Sequence, residues 1–212
     1  MLKDLLFASD AFQKAMERQL DQAPPLQLEE PRHRSAAVAA MLSIEHGSAA
    51  RGCFAVDCPH SGTSLIRLQF EALVRGAWAL YAAPDEAIQL MSGPLTMESD
   101  VAARKLPGAT VMLKELMEKA PHGLSEPLRQ FHAAFWHGLN SYVHAGIHPL
   151  HRSGNGYPVA LAGQQLRGSN AILHFGYRQL AALSGSQAIM QRITELWMEY
   201  APCLPVEVST AN

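Results

Sequence analysis

The chain has 212 residues, 48% apolar and 17% charged, with a formal net charge of -2. Length and composition suit one helical domain, residues 1–212, and the near-neutral balance gives no electrostatic argument for a broad nucleic-acid-binding surface while leaving room for a local basic pocket. Cys53, Cys58 and Cys203 form no CxxC pair and read as reduced thiols; no signal-peptide or membrane-span pattern occurs, so a cytoplasmic location with no membrane partner is expected.

Helical spacing runs through the chain, so the expected fold is all-α: a bundle of four or five long helices with short connecting ones. The first helix covers about Leu2 to Leu20, with Leu5, Leu6, Ala8, Phe12 and Met16 on its inner side. A Pro24-Pro25 linker leads to an alanine-rich second helix, roughly Arg32 to Val56. Cys58-Pro59-His60-Ser61-Gly62 reads as a turn, with Ser61 or Thr63 capping a third helix from about Thr63 to Ala82. Short helices follow, one starting at Pro84 and two more at about Met97 to Lys105 and Pro107 to Lys119. The seventh helix starts near Ser125 and continues to about Gly146. His148 to Gly156 reads as a loop, because Pro149 and Ser153-Gly154-Asn155-Gly156 interrupt regular structure. A long helix from Pro158 to Leu183 and a last one ending near Tyr200 complete the set; the tail beyond Pro202 reads as frayed.

The third helix is apolar almost all round. Its only charges, Arg67, Glu71 and Arg75, repeat every four residues, and Trp78 follows one turn on. A helix of this kind is central in a bundle, so its polar stripe should face a partner or a cavity. Glu71 bridging both arginines would leave guanidinium donors for an anion; a structural ladder uses the same residues. On the seventh helix Phe131, Phe135, Leu139, Tyr142 and Gly146 form a packing face. Beside it run His137, Ser141 and His144, flanked by Asn140. Histidine serves as acid, base or phosphate donor near neutral pH, and a helical histidine also serves simply as a hydrogen-bonded structural group. On the second helix, Glu45 would balance the arginines and His46 would join His144 if either faces inward.

Three segments together resemble a group of uncharacterised bacterial helical proteins: Ile44-Glu45-His46-Gly47, the Arg67-x3-Glu71-x3-Arg75 helix, and Asn140-Ser141-Tyr142-x-His144-x-Gly146. That group is in turn similar to the HEPN domains, helical bundles that are often homodimers and in many cases metal-independent ribonucleases of toxin and defence systems. The resemblance implies a HEPN-like bundle that binds or cleaves RNA or a nucleotide phosphate without a cofactor. His144 would then be acid or base, Arg67 and Arg75 would stabilise phosphate charge, and Glu71 would orient them. Glu45, His46, Trp78, His137, Asn140 and Ser141 would line the binding site. Where a HEPN nuclease carries its motif arginine, this chain has His137, Gly138 and Leu139. Arg167 and His174 match that spacing formally elsewhere, at a frequency expected by chance.

Two other classes compete. His46, His144 and His148, with His151 nearby, would suit a metal-dependent bundle enzyme similar to the DinB-like hydrolases. A non-catalytic interaction protein would use the same polar stripes only to fix packing. No GxSxG, GxGxxG or P-loop occurs, and no cysteine has an evident base beside it.

Overall fold

A computed structural model describes residues 2–205. It is all-helical: among the described residues ten α-helices and a closing 3₁₀ turn follow one another without a strand. They are α1 (Leu2–Leu20), α2 (Pro31–Ala55), α3 (Pro59–Tyr81), α4 (Asp85–Ser92), α5 (Met97–Ala103), α6 (Ala109–Lys119), α7 (His122–Val143), α8 (Ile147–Asn155), α9 (Val159–Leu183) and α10 (Gln187–Glu199). No helix among them is long and apolar enough to cross a membrane.

Two boundaries differ from expectation because of proline. Pro59 begins α3 a full turn before Thr63: at the first helical position its fixed φ suits the helix and its missing N–H costs nothing. Cys58 therefore precedes the helix, and Thr63 turns its hydroxyl back onto the Pro59 carbonyl at 2.8 Å. The same rule makes a helix of the expected loop after Gly146. Pro149 falls in the first turn of α8, where no intrahelical donor is needed, so His148, His151 and Arg152 lie on a helix. α7 also starts earlier, at His122, and runs through Pro127.

α3 is the central element and lies against α2, α6, α7 and α9. Ile66, Phe70, Leu73, Val74, Ala77 and Trp78 are all buried there. Phe70 stacks on Phe131 at 4.9 Å and meets Trp136 edge-on, and this joins α3 to the face of α7 read from the sequence. α2 approaches α3 closely through small residues, and a buried polar seam fixes their register. Ser43 donates to the Gln69 carbonyl at 2.9 Å, the Gln69 amide donates to the Ser169 carbonyl at 3.0 Å, and Ser169 returns a bond to Gln69 Oε1 at 2.7 Å. A methyl group at Gly47 would stand 2.5 Å from the Gln69 amide nitrogen, so this position admits only hydrogen.

Charged groups close the ends. Arg32, in the first turn of α2, donates to the carbonyls of Ala79 (2.6 Å) and Ala83 (2.9 Å) and pairs with Asp85. It thereby caps the C-terminal end of α3, where carbonyls lack partners and the helix dipole favours a cation. α1 buries Ser9 and Gln13 beside Leu5, Phe12 and Met16, whereas Leu6 and Ala8 stay only half-buried. Gln13 Oε1 accepts from Ser48 and Arg51 of α2, so a polar residue is satisfied on the inner face. The start of the tail is packed rather than frayed: Cys203 and Leu204 are buried, and Asn170 donates to the Cys203 carbonyl at 2.7 Å. The rest of the tail, residues 206–212, lies outside the described residues.

Candidate functional site

The charged stripe of α3 meets α7 at one point. Arg67 forms an ion pair with Glu71, one turn on, and donates from Nε to Asn140 Oδ1 at 2.8 Å. Its guanidinium also lies over the Trp136 ring, 3.6 Å from the centroid, an arrangement that favours a cation on the ring face. Arg67 is only 11% exposed and Glu71 35%. His132 completes the node: it stacks on Trp136 at 4.6 Å and shares a 3.2 Å hydrogen bond with Thr110 of α6. Burial, and then the Arg67 charge, hold its imidazole below the ordinary histidine range.

The ladder stops at that rung. Arg75 is half-buried and, among the described residues, pairs neither with Glu71 nor with another carboxylate. Trp78 is buried and donates its indole N–H to Glu115 of α6 at 2.8 Å, a packing role. On α2 the inward positions belong to Ser43 and Gly47, so Glu45 is exposed and His46 half-buried.

Asn140-Ser141-Tyr142-x-His144-x-Gly146 is the corner where α7 gives way to α8. Asn140 holds Arg67. Ser141 accepts from the backbone N–H of His148 at 3.1 Å and so caps the first turn of α8. Tyr142 accepts a hydrogen bond from Arg152 and stacks on His60 of α3, with ring centroids 6.0 Å apart. Tyr157 closes the corner from below: it meets His60 edge-on at 5.3 Å and bonds Thr63 through its hydroxyl at 2.7 Å. Burial raises the Tyr157 hydroxyl above the usual phenol range. Ala145 adopts a left-handed φ of 49°, and a methyl group at Gly146 would come within 2.6 Å of the Ser141 hydroxyl. The spacing of the element is therefore that of a helix-to-helix corner.

His144 is the member of the element that the corner leaves over: it follows the last residue of α7 and is exposed, as is His137. α3 and α7 run antiparallel, since Tyr142 meets His60 while Phe131 meets Phe70. At 1.5 Å per residue, Arg75 and His144 then sit at levels roughly 26 Å apart along the pair, with Arg67 between them. Arg67, Glu71 and Asn140 thus come together; Arg75, Glu45, His46, His137 and His144 do not join them. Arg167 and His174 are far from any such cluster: His174 is buried among Phe12, Phe175 and Trp197 and bonds the Ile193 carbonyl at 3.0 Å.

Among the described residues no group of three or more histidine, cysteine or acidic side chains converges to hold a metal ion. His46, His144 and His148 sit on α2, at the end of α7 and on α8, and do not form such a group. What the corner does present is an exposed set of donors, His144, His148 and His151, with Arg152 beside them. The sequence carries a signal for this face that periodicity does not register: from residue 127 to residue 194 there is no aspartate or glutamate, against five arginines and six histidines.

Residues 40–206 match the model of a family of unknown function, DUF6988. No curated protein and no solved structure matches the chain.

Proposed function

We propose that this chain, which belongs to the DUF6988 family, is a binding protein that takes an anionic partner, an RNA or nucleotide phosphate, on the corner formed by the end of α7 and by α8. The observation that carries this reading is the cluster of exposed donors His144, His148 and His151 beside Arg152, in a stretch without a single carboxylate to compete for them. Arg67, Glu71 and Asn140 act in this reading as positioning residues that hold α7 in register, because their polar groups are engaged with one another and with Trp136. Binding rather than cleavage follows from the separation of these groups: Arg67 is held by Glu71, Asn140 and Trp136, and Arg75 is distant from His144. The HEPN-like resemblance is the reason for choosing RNA among polyanions. It also suggests a homodimer, and the exposed Val143, Ile147 and Leu150 on this corner offer an apolar surface for a second copy.

Fluorescence anisotropy with a labelled single-stranded RNA tests the reading. The wild-type chain should bind with an affinity that falls with salt, as a phosphate contact to Arg152 requires. A triple variant, His144→Ala with His148→Ala and His151→Ala, should lose at least about tenfold in affinity, or roughly 1.4 kcal/mol, at unchanged helicity. Absence of binding at low salt, or equal binding by the triple variant, overturns the proposal. RNA cleavage that persists in chelator and is lost in His144→Ala would replace it with a HEPN-type nuclease.

A further inference from the structure

A second feature lies at the other end of the bundle, independent of the corner. The end of α3, the first turn of α7, α9 and the start of α10 border a half-open cavity of about 230 Å³. Tyr81, Leu124, Phe175, Arg178, Gln179 and Met190 line it.

Arg178 is the unusual member. It sits on α9 inside the carboxylate-free stretch, and the titratable groups close enough to couple to its charge are the Tyr81 hydroxyl and the His174 imidazole. Among the described residues its Nε is buried without a hydrogen-bond partner, and its guanidinium lies 5.5 Å from the Phe175 ring. Burial works against its charge, and among the described residues no carboxylate pairs with it. Gln179 adds a second unmet group: its amide nitrogen is fixed on the Ala36 carbonyl at 2.9 Å, while its buried Oε1 has no partner. The first turn of α7, whose Pro121 and Gly123 also line the cavity, has no side-chain cap; the Leu124 and Ser125 N–H groups bond the Pro121 carbonyl, which leaves those of His122 and Gly123, at the positive end of a 22-residue helix, beside this region.

Taken singly, each of these is a flaw of packing. Together they are two sources of positive potential, one hydrogen-bond acceptor and an apolar wall around a single small volume, the usual make-up of a small-molecule site. We propose that this cavity binds a small organic acid: a carboxylate on the Arg178 fork and the α7 first turn, its apolar stem against Phe175, Leu124 and Met190, and an O–H or N–H of the ligand donated to Gln179 Oε1. A planar guanidinium matches a carboxylate through two parallel hydrogen bonds.

The test uses the purified full chain, with benzoate and butyrate as probes, inorganic phosphate as the rival anion and chloride to hold ionic strength constant. Titration calorimetry and thermal unfolding should show saturable binding of at least one carboxylate, at a Kd of about 1 mM or below, with a rise in Tm. Arg178→Met should abolish that binding while unfolding, without any acid, at the wild-type temperature or above it, since an apolar residue replaces an uncompensated charge. Three results overturn the proposal. Neither carboxylate saturates in the millimolar range, or one does so equally in Arg178→Met. Phosphate alone binds, which removes the carboxylate assignment. Arg178→Met without acid loses several degrees, which makes Arg178 a structural residue.

Discussion

Arg67 and Arg178 are both arginines held mostly out of water on long central helices, and the fold treats them in opposite ways. Arg67 has a carboxylate, an amide oxygen and an indole ring arranged around it. Arg178 has an aromatic ring and the wall of a cavity. The first arrangement compensates the desolvation of the charge from within the chain, and so joins two helices. The second leaves the compensation to something outside the chain. A buried cation is thus informative about function in proportion to the partners it lacks.

The sharpest way to break this contrast is to apply the same substitution to both. Arg67→Met leaves Glu71 and the Asn140 side-chain oxygen, Oδ1, without their donor and removes the cation from Trp136. It should cost about 3 kcal/mol of unfolding free energy, the range for breaking a largely buried, hydrogen-bonded pair. Arg178→Met should cost nothing. Chemical denaturation of the two variants side by side measures both. Equal losses would mean that the cavity around Arg178 stabilises it as well as three partners stabilise Arg67.

A buried group that is neutral sharpens the same point. His174 lies one turn from Arg178; burial is the main cause that takes its imidazole down to about 4, the Ile193 carbonyl opposes this, and the Arg178 charge adds to it. An imidazole in the unfolded chain takes up its proton near pH 6.5, whereas the folded one resists until about pH 4. Stability from this group is therefore complete above pH 6.5 and lost as the pH falls toward 4, by at most roughly 3 kcal/mol. His174→Gln, which keeps a donor for Ile193, should flatten the fall in urea midpoint between pH 7 and pH 4.5. An unchanged fall would assign it to other groups.

The helices were legible because they rest on local periodicity: α1 and α9 fall close to where spacing places them, and α3 is central because its apolar residues surround it. Proline misled at α3 and α8, since from sequence alone a first-turn proline and a helix-ending one look the same. The candidate site was legible only as far as residue types on one helix allow. Spacing put Arg67 and Glu71 on one stripe and Asn140 on a neighbouring helix. It could not place Gly47 rather than His46 toward α3, because adjacent residues on a helix differ by about 100° and only packing chooses between them. Nor could periodicity reveal that Ser141 and Gly146 shape a corner, since that role depends on the left-handed turn at Ala145 and on the helix that follows. Arg178 stayed hidden for a different reason. Its distinguishing property is a missing carboxylate, and absence shows only when a whole stretch of chain is read for charge.

Arg192 supplies the smallest expected effect and the control on the argument. It pairs with Glu195 and, through both terminal nitrogens, with Glu199 on the surface of α10, and it holds the Glu199 carboxyl below the usual range. Such a lowered carboxyl contributes stability at neutral pH that disappears as Glu199 is protonated. Arg192 and Glu199 remain 38% and 47% exposed, however, so water and salt screen the pair. Arg192→Met should leave the Tm at neutral pH and physiological salt within measurement error, although Arg192 has more carboxylate contacts than Arg67. A loss as large as that of Arg67→Met would show that pairing geometry alone determines what an arginine contributes. Burial would then no longer separate the three arginines, and the unpaired state of Arg178 would lose its meaning as a sign of a ligand.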